Sequence, residues 1–139
     1  VDRADLAQLG LAPGTEATGL DDAAKATLVG YAVEKGIATL SPGGAVLNTI
    51  RVAALRGGPA LRTAFVGAVG QDARAEVLRG AMRKLGVVPL LKTVADLDTA
   101  VCACFVDRET HDRTLATIRG AAAALDPAFI RAPAVAALA

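Results

Sequence analysis

The stretch Arg62-Thr63-Ala64-Phe65-Val66-Gly67-Ala68-Val69-Gly70-Gln71-Asp72 decides the fold. Its apolar and β-branched residues predict a strand over 62–69. Gly70 then turns the chain and Asp72 stands where a helix N-cap belongs. The helix runs to about Leu85. Val77, Leu78, Ala81, Met82 and Leu85 fall on its inner face, and Arg74, Glu76, Arg79, Arg83 and Lys84 on its outer face. Val87 to Val94 reads as the next strand. Parallel neighbours need a crossover, and a helix between two strands supplies one, so the stretch implies an α/β layered fold with a parallel sheet.

The flanks extend the same alternation. Upstream, Arg3 to Gly10 has room for two helical turns and Gly14 to Thr18 for a short strand. Asp21 or Asp22 caps a helix to about Lys35, with Ala24, Leu28, Tyr31 and Ala32 at helical spacing and Gly36 at its end. Ile37 to Leu40 reads as a brief strand, and Ser41-Pro42-Gly43-Gly44 as a turn. A helix from about Ala45 to Leu55 follows. Its broad apolar surface (Val46, Leu47, Ile50, Ala53, Ala54) predicts that it is largely buried, and Gly57-Gly58-Pro59 breaks it. Downstream, Thr99 to Asp107 and Arg113 to Ile118 form a hairpin, and Asp126-Pro127 opens a short helix. Ala134 to Ala139 reads as the start of a buried strand. The opening Val-Asp-Arg-Ala-Asp has no initiating Met, and both ends read as cuts within a larger protein.

Composition narrows the function classes. The chain has 139 residues, 53% of them hydrophobic but only 3% aromatic, so its core must be built from small aliphatic side chains. Fifteen basic and 14 acidic residues are spread without clusters, which argues against a nucleic-acid or anionic-membrane surface. Mean hydropathy is +0.44, yet charges interrupt every apolar run. None reaches the roughly 20 residues that a spanning helix needs. Cys102 and Cys104 alternate on a strand, so they point to one face while extended backbone keeps them from pairing. They read as two small buried hydrophobes in a reducing compartment, the cytoplasm. With His111 as the single histidine, neither a metal cluster nor a Ser-His-Asp set can be assembled.

Three constellations have chemical potential. In Gly43-Gly44-Ala45-Val46-Leu47-Asn48, glycines at a helix start leave N–H groups free, and Asn48 lies one turn in on the same side. The alternative is a glycine turn feeding a helix, with Asn48 bonding nearby backbone. Gly67 to Asp72 sits where a phosphate loop would sit but lacks both the three-glycine and the Walker patterns, and reads as a tight capped turn. Arg113 offers either a planar fork for a phosphate or an exposed hairpin charge.

In this order, the pieces resemble the adenosine kinase branch of the ribokinase (PfkB) family. Gly43 to Ala53 is similar to its N-terminal signature, and Thr63 to Asp72 with Gly86-Val87 to its strand-to-helix step. Thr99 to Cys102 and Asp112 to Thr117, followed by Gly120-Ala121-Ala122, are similar to its later strand pair. The resemblance implies a ribokinase-like layered fold with a parallel sheet plus a small lid, incomplete in this chain. Residues 13–42 would be mainly lid elements, with strands from 87–118 contributing to lid and sheet. Residues 43–139 would be the N-terminal part of the large α/β domain, its C-terminal catalytic part absent.

The implied activity is ATP-dependent transfer of a phosphoryl group to a nucleoside, adenosine to AMP, with ATP and Mg2+ as cofactors and no metal ligands in this chain. Gly43, Gly44 and Asn48 would bind ribose hydroxyls, Glu16 and Thr18 would lie on the lid strand over the nucleoside, and Cys102 and Thr117 would lie near the sugar. Arg113 would steady the transferred phosphoryl group as the catalytic residue present. Ile118 and Arg119 stand where the family usually has Asn and Leu, and Ala100 and Val101 where it has Gly and Thr. The family's opening Gly-Asn strand and late Gly-Ala-Gly-Asp loop are not in this chain. Alternatives are another sugar or nucleoside kinase of the family, or a truncated non-catalytic member whose exposed sheet edge a partner chain covers.

Overall fold

The computed structural model describes residues 1–36 and 39–137. In chain order the elements are α1 (Arg3–Gln8), β1 (Glu16–Thr18), α2 (Asp22–Glu34), α3 (Ala45–Gly57), β2 (Ala64–Val69), α4 (Ala73–Lys84), β3 (Val88–Thr93), β4 (Val101–Val106), β5 (Arg113–Ile118), α5 (Pro127–Ile130) and α6 (Pro133–Ala136). Short 3-10 turns cover Gly58–Ala60 and Gly120–Ala124. The chain forms two compact units, residues 1–40 with 100–119, and 41–99 with 120–139.

The first unit is a three-stranded sheet backed by two helices. β5 lies in the middle, parallel to β1 and antiparallel to β4. Alternation decides its faces. Thr114, Ala116 and Ile118 of β5 and Phe105 of β4 are buried, while Arg113, Cys102, Cys104 and Val106 are exposed. The buried face packs on Leu6 and Leu11 from the α1 region and on Leu28 and Tyr31 of α2. Each of these leucines contributes about 1.5–3 kcal/mol by leaving water. Tyr31 meets Phe105 edge-on, ring centroids 6.1 Å apart at 71°, a geometry that favours aromatic pairs. α1 starts on a capping box in which Asp2 and Asp5 each accept the other's backbone N–H, and α2 starts on Asp21, which accepts from Ala24 N at 2.8 Å. The β4–β5 loop is tied by buried Asp107, whose Oδ1 accepts from the amides of Glu109 and Thr110 at 2.8 and 2.9 Å.

The second unit is the strand–helix–strand unit that the opening stretch implied. β2 and β3 are parallel, in register from Ala64↔Val88 to Val69↔Thr93, with α4 between them in sequence. Leu47, Met82 and Val87 form its buried cluster, joined by Ile50, Ala54, Phe65, Leu78, Leu85 and Leu91. The turn after β2 is held by one carboxylate. Asp72 accepts from Ala75 N at 2.9 Å as the cap of α4. It also accepts from Thr99 N and Thr99 Oγ1, both at 2.7 Å. Thr99 Oγ1 in turn accepts from Gly70 N at 3.0 Å. This close approach requires glycine at 70, since a Cβ there would lie 2.3 Å from the Leu97 carbonyl oxygen. At the far end of β3, Lys92 pairs with Asp126 and donates to the Ala124 carbonyl at 3.0 Å, anchoring the segment that leads into α5.

Several expectations need correcting. Cys102 and Cys104 are exposed, not buried, because the alternation of β4 turns Phe105 inward and both thiols outward. α3 is not largely buried: Leu47 is, but Val46, Val52 and Leu55 are exposed, because only one stripe of the helix meets the cluster around Met82. Val77 is likewise exposed, at the border of the apolar face of α4. The expected strand at Ala134 to Ala139 is replaced by α6, which Pro133 starts by supplying a helical φ at a position that needs no N–H donor. Leu138 and Ala139 lie outside the described residues, as do Ile37 and Ala38 of the expected strand 37–40, and Thr39 and Leu40 are in no strand.

Two outcomes follow from this packing. Burial, then the hydrogen bond to the Asp5 carboxylate and that group's charge, push the Tyr31 hydroxyl from 10.0 up to about 12. The raised value makes neutral Tyr31 stabilising below pH 10.0, and that stabilisation is lost as pH rises through about 12. Tyr31 is the chain's one tyrosine, so tyrosinate absorbance reads it directly. A midpoint near 10 in the folded chain would contradict the burial. For Asp72, burial acts to raise the carboxyl, but the Thr99 and Ala75 hydrogen bonds and nearby Arg74 outweigh it and hold the pKa below the usual 3.8. Asp72→Ala removes the cap and strands the Thr99 donors, a loss of about 2 kcal/mol or more. The gap from wild type in urea unfolding should be full above pH 3.8 and shrink as pH falls through the lower folded value.

Candidate functional site

The exposed face of the first unit's sheet gathers most of the polar residues singled out in the sequence. Register places Glu16 beside Leu115 and Thr18 beside Thr117 on one side of β5. On its other side, Cys102 pairs with Thr117, Cys104 with Leu115 and Val106 with Arg113. Because the side-chain period of a strand is two, these residues all project from one face. Thr117 is its centre. Its hydroxyl donates to Glu16 Oε1 at 3.2 Å and lies 3.4 Å from Cys102 Sγ. A hydroxyl has one proton, and the carboxylate is the stronger acceptor, so the thiol is the weaker neighbour of the pair. The result is a shallow surface with an anionic acceptor, a hydroxyl and a thiol within reach of one bound group.

Arg113 shares this face but not this cluster. Four residues along β5 from Thr117, its Cα is displaced by about 13–14 Å at ordinary strand rise. It is exposed at the loop end of the hairpin, opposite Val106, and among the described residues its guanidinium has no hydrogen-bond or ion-pair partner. Arg119, just past β5, is also exposed, so its charge is not buried.

Gly43, Gly44 and Asn48 belong to the second unit, at the start of α3. Gly44 is the N-cap with φ 101°, a conformation that favours glycine, and no side chain caps the helix. The first-turn amides therefore have no side-chain acceptor. The Asn48 amide N–H closes the first helical turn by donating to the Gly44 carbonyl at 2.9 Å. Its side chain does not bond backbone. Instead Arg51 Nη1 donates to Asn48 Oδ1 at 3.4 Å and to the Pro42 carbonyl at 3.3 Å. The carboxamide oxygen is thereby oriented, and the amide NH2 has no partner among the described residues.

Sequence reasoning missed Arg51, although its i, i+3 spacing from Asn48 was a usable signal. It also missed Thr99, for which no local pattern exists. Gly67 to Asp72 is the capped turn expected, its carboxylate engaged by Thr99 and Ala75. Among the described residues no three His, Cys, Asp or Glu side chains converge as metal ligands. Among the same residues no helix is long and apolar enough to cross a membrane.

Comparison with known proteins shows the family and the fold. The model of the pfkB family carbohydrate kinases matches residues 20–138. Among solved structures, adenosine kinase from Anopheles gambiae, in complex with P1,P4-di(adenosine-5) tetraphosphate, superposes with a TM-score of 0.81 at 26% identity, over 99% of this chain and 40% of its own. Apo adenosine kinase from Trypanosoma brucei brucei is 29% identical with a TM-score of 0.72, over 99% of this chain and 41% of its own. A probable sugar kinase from Rhizobium etli CFN 42 is 25% identical with a TM-score of 0.69, over 94% and 38%. The chain thus spans about two-fifths of the length of these solved proteins. No curated protein sequence matches it. By the family match the chain belongs to the pfkB family of carbohydrate kinases, and its α/β fold is the ribokinase-like fold of the adenosine kinases that it resembles.

Proposed function

We propose that this chain is the N-terminal portion of an adenosine-kinase-like phosphotransferase that moves the γ-phosphoryl group of ATP to the 5′-hydroxyl of a nucleoside, adenosine first. The observation that carries this reading is the exposed Glu16–Thr117–Cys102 cluster on a sheet whose other face is core. A solvent-facing carboxylate and hydroxyl in mutual contact suit a polar, hydroxyl-bearing substrate. In this reading residues 13–42, with strands from 87–118, act as the lid, and 43–139 belong to the large domain.

The reaction forms a bond from the 5′-oxygen to the γ-phosphorus as the bond to the β–γ bridging oxygen breaks. ADP leaves, and the hydroxyl proton is lost to a base that the candidate residues do not supply. Catalysis of this kind rests on positioning and on charge stabilisation. Asn48, oriented by Arg51, and the Gly43-Gly44 amides hold ribose hydroxyls. Glu16, Thr18, Thr117 and Cys102 contact the nucleoside, and Arg113 meets the transferred phosphoryl group. Two exposed, unpaired thiols suit a reducing cytoplasm.

The complete protein, assayed with ATP and adenosine, should turn over nucleoside in preference to ribose or fructose. Phosphorylation of a free sugar with no turnover of adenosine would instead favour a sugar kinase, the second reading that the Rhizobium etli relative supports. Asn48→Ala should raise KM by about 10–100-fold, as expected when a ground-state hydrogen bond is lost. Arg113→Ala should lower kcat by about 100-fold with a smaller change in KM, the signature of a charge that acts on the transition state.

A further inference from the structure

The exposed sheet face carries a pair of thiols whose chemistry goes beyond contact with a nucleoside. Cys102 and Cys104 are both free and exposed. They face the same way, one beside Thr117 and the other beside Leu115. Only Ala103 separates them.

Strand geometry sets what this pair can do. Alternate residues on a strand are about 6.8 Å apart at ordinary rise, and their Cβ atoms, on one face, are separated by a similar distance. A disulfide needs Cβ atoms about 3.5–4.5 Å apart, which β4 cannot provide while paired to β5. A single ion bonded to both sulfurs makes a lesser demand. Two bonds of about 2.3 Å span up to about 4.6 Å between sulfurs. Each sulfur lies one bond beyond its Cβ, so two side chains leaning towards each other along the strand can reach that separation without moving the backbone.

The surroundings select the ion class. Among the described residues no third carboxylate, imidazole or thiol joins the pair, so ions that require four ligands, such as Zn2+, are poorly served. Two soft thiolates alone suit a monovalent d10 ion. Half-buried Leu115 beside Cys104 gives such an ion an apolar neighbour.

We propose that Cys102 and Cys104 form a two-thiolate site for one soft monovalent ion of the Cu(I) class. Binding replaces two S–H protons with two metal–sulfur bonds: Cu+ and two thiols give an anionic dithiolate complex and two released protons. No electron changes hands. Because Cys102 also borders Thr117 and Glu16, an ion held there occupies the candidate nucleoside surface.

The test titrates the complete protein with Cu(I), anaerobically and under reductant, against a colorimetric Cu(I) chelator. It compares wild type with Cys102→Ser, Cys104→Ser and the double variant. Circular dichroism melts confirm that these exposed, near-isosteric replacements fold. Wild type should bind one ion more per chain than the double variant, with a near-ultraviolet thiolate-to-copper band. Each single variant should weaken that binding by about 100-fold or more, the loss expected when a two-point attachment becomes one-point. Equal binding by wild type and the double variant would overturn the site. A single variant that binds as tightly as wild type would overturn the pairing. Neither readout depends on kinase activity, so the kinase reading stands or falls separately.

Discussion

The pairing of Cys102 with Thr117 across β4 and β5 is the constraint on which the first unit depends. One residue of slip would turn Ala116 and Ile118 to solvent and drive Thr117 and Arg113 into the aliphatic core. That register is held from both sides. Phe105, Ala116 and Ile118 need Leu6, Leu28 and Tyr31, and the Asp107 turn sets where the hairpin reverses. Once it is set, the other face has no choice of residues: Glu16, Thr18, Cys102, Cys104 and Thr117 are displayed together. The polar surface is thus a consequence of how the core is packed.

Much of this was legible in the sequence. The strand–helix–strand reading of 62–94 depended on periodicity and on Gly70 and Asp72, and the structure follows it closely. The hairpin was also legible, because period-two alternation and a polar loop are local signals. What failed depended on partners. Cysteine's usual preference for burial misplaced Cys102 and Cys104, although their alternation with Phe105 held the answer. The apolar breadth of α3 suggested a largely buried helix, yet Val46, Val52 and Leu55 are exposed. A helix face reports what it could bury, not what is there to cover it.

The candidate site was legible as a set of residues but not as a geometry. Glu16 and Thr117 are 101 positions apart, and only the parallel β1–β5 pairing brings them into hydrogen-bond contact. Thr99 and Asp72 are 27 apart and share no local pattern. Family resemblance supplied the order of the motifs, and the fold supplied adjacency. Arg113 illustrates the difference: it was grouped with Thr117 by sequence, yet it lies at the other end of the same strand face.

The face displayed by β1, β5 and β4 is the surface proposed to meet substrate. The rate at which Cys102 is alkylated in the complete protein, read by peptide mass spectrometry with and without saturating adenosine, tests it most directly. Adenosine should slow alkylation of Cys102 in proportion to occupancy, while fructose at the same concentration should not. An unchanged rate at a nucleoside concentration that saturates turnover would place the substrate elsewhere.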